Sequence, residues 1–158
     1  MTSSPAAVTN LPVPLTRFVG REAELARASA LLAEARLLTL TGPGGTGKTR
    51  LALRLASSVA EGFADGVWFV DFSTLSGGEF LWDTVAVTLG VKDPGSSTTL
   101  AESVGRYLAK RQALLVSTTA STWWSRRPRS QPAFWPLLRP RRTQMDSGLD
   151  GPRRRPPR

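Results

Sequence analysis

Eight consecutive residues, Gly42-Pro43-Gly44-Gly45-Thr46-Gly47-Lys48-Thr49, carry the spacing G-x-x-x-x-G-K-[ST]. In such a loop, successive backbone N–H groups converge on phosphate oxygens, and the N-terminus of the following helix adds its positive end. Gly42, Gly44, Gly45 and Gly47 permit the tight wrap around Pro43 and Thr46. Lys48 is placed to reach β- and γ-phosphates, and the Thr49 hydroxyl to fill one position around Mg²⁺. The expected ligand is ATP or ADP with Mg²⁺. The competing reading is an ordinary glycine-rich turn, and the flanking elements discriminate between the two.

Hydrolysis needs a carboxylate at the end of a neighbouring strand to hold Mg²⁺ through water. Val67-Trp68-Phe69-Val70-Asp71 offers Asp71 for that role beside Lys48. The alternative is that Asp71 ends its strand and caps the next loop. The other candidate strand, ending Leu114-Leu115-Val116, is followed by Ser117 where an acid is expected. With no cysteine and no histidine, thiol nucleophiles, imidazole acid–base chemistry, disulfides and the usual zinc sets are excluded.

The elements that must position this loop are legible on either side of it. Residues 37–40, Leu-Leu-Thr-Leu, read as a short buried strand running into the glycines. Leu51, Leu55 and Val59 then mark one face of a helix ending before Asp65-Gly66. Upstream, Leu25, Ala28, Ser29 and Leu32 recur at helical spacing over residues 21–35. Residues 67–70 form a second strand, residues 79–89 a helix closed by Gly90, and Thr99 with Glu102 a capping box opening a helix to about Lys110. Residues 113–116 form a third strand. Strand and helix alternate, the signature of an α/β fold with a parallel sheet in three layers.

Residues 1–16, rich in Ser, Thr and Pro, read as a flexible lead-in. No apolar run is long enough to span a bilayer, and a cytoplasmic location is expected. The net charge of +9 sits almost wholly at the other end. Residues 1–116 hold 11 Lys and Arg against 10 Asp and Glu, whereas residues 117–158 hold 10 Arg, no Lys and 2 Asp.

Taken together, the motifs resemble the STAND class of signal-transduction P-loop NTPases, specifically the NB-ARC-like ATPase domain of LuxR- and AfsR-type bacterial transcriptional regulators. Phe18-Val19-Gly20-Arg21-Glu22 with Glu24-Leu25 is similar to that family's N-terminal motif near the nucleotide base. Residues 37–41 entering the loop, Gly66 to Asp71, and Leu89-Gly90-Val91 match further landmarks. The resemblance covers residues 17–116. It implies that Val19, Gly20 and Arg21 lie by the nucleotide, that ATP is hydrolysed in the family, and that nucleotide state switches a larger regulator whose effector domains are not recognisable here. In the family's sheet, the loop strand lies between two strands that come later in sequence than Val116, so residues 37–40 would lack their normal neighbours.

In that family the third strand continues Leu-Asp-Asn-Cys-Glu-His-Leu-Val-Glu, with acids serving magnesium and water. This chain reads Ser117-Thr118-Thr119-Ala120-Ser121-Thr122-Trp123-Trp124-Ser125. Written as CTC GAC AAC TGC GAG CAC CTG GTG GAG C and read one base later, the family segment translates as these nine residues. A one-base frameshift at Val116/Ser117 is therefore one origin for residues 117–158, which read as a disordered Arg- and Pro-rich tail. The other is an arm binding nucleic acid without sequence preference, with Trp123, Trp124 and Trp135 for stacking.

Three functions follow from these observations. The first is an ATP-binding regulatory module that has lost its hydrolytic acid. The second is a non-catalytic truncated product with weak nucleic-acid affinity. The third is a small phosphoryl-transfer enzyme using Asp71.

Overall fold

The computed structural model describes residues 8–75, 80–92, 95, 98–118 and the backbone of 142–146. Its elements run α1 (Glu22–Glu34), β1 (Leu37–Thr41), α2 (Lys48–Val59), a short 3-10 turn (Ala60–Gly62), β2 (Val67–Val70), α3 (Leu81–Leu89), α4 (Leu100–Ala109), β3 (Leu114–Ser117) and β4 (Arg142–Asp146). The expected α/β alternation holds, with the third strand and the helix before it each displaced by one or two residues.

All the pairings are parallel. β2 lies beside β3 in the register Val67↔Leu114 to Val70↔Ser117. β1 pairs with β4 from Leu37↔Arg142 to Thr41↔Asp146. Parallel neighbours require a crossover connection, and α3 and α4 supply it between β2 and β3.

Residues 37–40 are expected to lack the family's usual neighbours, and β1 is nevertheless paired: Arg142–Asp146, from the Arg- and Pro-rich segment, form β4 beside it. The physical reason is backbone satisfaction: the N–H and C=O groups of a strand are costly to leave unpaired, and a parallel neighbour pairs them. The remainder of residues 119–158 lies outside the described residues.

Within the N-terminal lead-in, residues 8–10 run along the edge of β2. The Val67 N–H donates to the Val8 carbonyl at 3.0 Å, and Thr9 bridges Val67 in parallel. Asn10 continues the pairing with its side chain, donating to the Phe69 carbonyl at 3.0 Å and accepting the Phe69 N–H at 2.6 Å. A carboxamide presents the same donor and acceptor as a peptide group, so it extends the ladder on the edge of β2 away from β3. Gly66 makes the approach feasible: at φ 97°, a Cβ there would stand 2.4 Å from the Val8 carbonyl oxygen. Farther along, Arg50 donates to the Thr16 hydroxyl at 2.9 Å and to the Arg17 carbonyl at 3.1 Å.

Two clusters hold these elements. Ala28, Leu51 and Leu55 are buried between α1, α2 and β1, with Phe18, Leu25, Leu32, Leu38 and Leu40 around them. Val70, Val85, Ala86, Leu89 and Val104 are buried where α3 and α4 cover β2 and β3. Each fully buried Leu or Val is worth roughly 1.5–3 kcal/mol. The first cluster fixes the base of the glycine loop, because it buries β1 and α2 on either side of it. The predicted caps form: Thr99 and Glu102 make both capping-box bonds, and Gly90 closes α3 at φ 67°.

Candidate phosphate-binding site

The glycine loop spans the six residues between the end of β1 and the start of α2. Gly42, Gly45 and Gly47 take φ values of 140°, 76° and 76°, conformations that strain a residue bearing a Cβ. Pro43, Gly44 and Thr49 are exposed, as is Val19. The loop's shape is fixed from within: the Thr46 hydroxyl donates to the Pro43 carbonyl at 3.0 Å. The Lys48 ammonium donates to the carbonyls of Gly42 at 3.0 Å and Pro43 at 2.6 Å. Lys48 thus closes over the loop on its own carbonyl oxygens, which are the acceptors a phosphate group would compete with.

Gly47 is the N-cap of α2 and provides no side-chain cap. The first-turn N–H groups of a helix have no intrahelical acceptor, so this end presents backbone donors and the positive end of the helix dipole. No acidic residue lies in the first turn of α2, while Lys48 and Arg50 do. The local field therefore favours an anion.

Arg21, the N-cap of α1, joins the site. Its guanidinium donates through Nη1 to the Thr46 carbonyl at 2.7 Å and through Nε to Glu24. The Glu24 hydrogen bond raises the Arg21 pKa and lowers that of Glu24, so both stay charged. Gly20 and Arg21 are consecutive left-handed residues, at φ 74° and 64°, and that turn swings the Arg21 side chain toward the loop. Through Arg21, the N-terminal motif meets the glycine loop.

Asp71 stands at the end of β2, and its hydrogen-bond partners are the Thr118 hydroxyl at 2.5 Å and the Ser73 N–H at 2.9 Å. These bonds, the Thr118 one foremost, hold its carboxyl below the ordinary value. The same Thr118 hydroxyl accepts the Phe72 N–H at 3.0 Å. This is the loop-capping arrangement weighed for Asp71 from sequence. Thr118 and Asn10 were not singled out as structural partners there. An Asp followed two residues later by Ser is an Asx-turn signal, but its second partner lies 47 residues away and has no local signature.

For magnesium, the described residues hold no group of three or more His, Cys, Asp or Glu side chains. Thr49 places an exposed hydroxyl in the first turn of α2, beside the loop. No described helix is long and apolar enough to cross a membrane.

Comparisons with known proteins agree with this geometry. Residues 32–118, more than half of the chain, match the profile of a family described as AAA domain. An uncharacterised protein of Mycobacterium tuberculosis H37Rv is 43% identical over 84 residues, which are 52% of this chain and 21% of that protein. A candidate HTH-type transcriptional regulator of the same strain is 43% identical over 88 residues, 55% of this chain and 10% of the regulator. The matching region thus spans about a fifth and a tenth of those relatives. No solved structure matches significantly.

Proposed function

This chain belongs to the AAA domain family of P-loop NTPases, and from that premise we propose that it is the ATP-binding module of a cytoplasmic signal-transduction ATPase that regulates transcription. The observation that carries the reading is the junction of β1 and α2: three left-handed or strained glycines, an uncapped helix N-terminus and Lys48 in one loop. Gly42 to Gly47 and the Lys48 ammonium hold the phosphates, Thr49 takes one position on Mg²⁺, and Arg21, next to Val19 and Gly20, bonds the Thr46 carbonyl of the loop. The similarity to a candidate HTH-type regulator and the motifs of the NB-ARC-like STAND class support a regulatory setting, with nucleotide state as the switch.

Binding without efficient hydrolysis fits the residues best. Ser117 ends β3 and Thr118 follows it where the family places an acid, and Asp71 serves as a cap rather than as a magnesium acid. A frameshift at Val116/Ser117 accounts for both the missing acid and a tail whose basic residues are all Arg.

ATP titration in Mg²⁺ tests the reading. The full chain should bind ATP, and Lys48→Ala should weaken binding by at least tenfold, because one charge-assisted hydrogen bond is worth about 1.5–3 kcal/mol. Equal affinity in the two proteins would sink it.

A further inference from the structure

The direction in which a peptide N–H points is set by its own carbonyl, because the peptide unit is planar and, when trans, carries the two groups on opposite sides. No peptide in the described residues is cis. The carbonyl of Thr46 is held by Arg21 Nη1 at 2.7 Å. The N–H sharing that peptide is Gly47's, and it must point away from Arg21, toward the other side of the loop. Gly47 is also the residue from which α2 starts.

We propose that Arg21 is a positioning residue of the phosphate cradle: by gripping the Thr46 carbonyl it fixes the Gly47 N–H toward the bound phosphates. The inference rests on the nucleotide-binding reading above. Three observations bear on it besides the hydrogen bond. Arg21 is the one non-glycine residue with positive φ among the described residues, at 64°, a conformation that is strained for a side chain bearing a Cβ and persists where surrounding contacts demand it. Its guanidinium is held at a second point by Glu24, which prevents it from rotating away. A Cβ on Gly47 would stand 3.4 Å from Arg21 Nη1, so the guanidinium lies directly against the Thr46–Gly47 peptide.

The helix dipole opposes a cation in this place. The Glu24 carboxylate offsets that opposition and leaves the guanidinium's hydrogen bonding to act on one carbonyl. Arg21 thereby serves the phosphate end of the ligand through the loop, without needing to touch the base.

Calorimetric titration of the full chain with Mg·ATP and with Mg·tripolyphosphate separates this from the alternatives. Arg21→Ala should weaken both ligands by the same factor, about tenfold, since the defect lies in the cradle they share. Arg21→Lys, which keeps one donor but loses the fork to Glu24, should fall between, and it carries the same comparison should the alanine variant not fold. In ¹H–¹⁵N spectra the Gly47 amide should already move in the ligand-free variants. Loss of ATP affinity with unchanged tripolyphosphate affinity would place Arg21 on the base and overturn the proposal. Equal losses with an unmoved Gly47 amide would place it on the phosphates directly, and overturn it too. Should Lys48→Ala abolish tripolyphosphate binding while Arg21→Ala leaves it intact, only the positioning inference falls. Tripolyphosphate binding that survives Lys48→Ala brings down the phosphate-cradle reading itself.

Discussion

The Thr118 hydroxyl donates to an Asp71 carboxylate oxygen at 2.5 Å, tying the first residue after β3 to the first residue after β2. Because the same hydroxyl accepts the Phe72 N–H, one side chain closes the C-terminal ends of both strands. Those are the ends at which a parallel α/β sheet presents its ligands, so this clamp borders the region where catalytic groups would have to stand.

That clamp gives a pH dependence with a definite sign. Asp71's carboxyl is depressed in the folded chain, first by Thr118 and then by Ser73. Its contribution to stability is therefore complete above the unfolded value of about 4 and is lost as pH falls through the lower folded value. Thr118→Val should move the Asp71 carboxyl upward and reduce the acid-side change in stability, by a small amount because the carboxylate is exposed. Carboxyl ¹³C titration of the two proteins checks this. An unchanged Asp71 midpoint would count against the clamp.

Asn10 should behave as a strand residue rather than as part of a loose terminus. Asn10→Ala removes both bonds to Phe69 and should cost about 1–2 kcal/mol, read as a lower melting temperature and faster proteolysis near residue 10. Asn10→Asp sets a carboxylate against the Phe69 carbonyl and should be no better than alanine. Melting curves superimposable on the wild type for both variants would show that the strap contributes nothing.

Removal of residues 119–158 takes β4 away from β1. The truncated chain should expose the backbone edge of β1, exchange the β1 amides that face β4 faster than the full chain, and aggregate more readily. Equal protection of those amides in the two chains would mean that β4 does not stabilise β1.

The frameshift reading makes a prediction about DNA. Downstream of the Val116 codon, the alternative frame should encode Asp-Asn-Cys-Glu-His. A protein expressed with that frame restored should release phosphate from Mg·ATP faster than the present chain. If the alternative frame encodes nothing of the kind, the tail has another origin.

The linear order of residues was enough to determine the chemistry on offer. The phosphate loop, its strand and helix, the Thr99–Glu102 capping box and the Gly90 cap are local features. Each depends on residues within one turn or one strand, where spacing translates directly into geometry. Contacts between distant segments were decided by the tertiary structure alone. Whether Arg21 meets Thr46, whether Asp71 faces a magnesium or Thr118, whether Asn10 completes the edge of β2, and which segment pairs with β1 all depend on how separate elements dock. Docking is governed by burial of the two apolar clusters and by the need to satisfy strand backbone. Both are properties of the assembled chain, and no residue spacing encodes them.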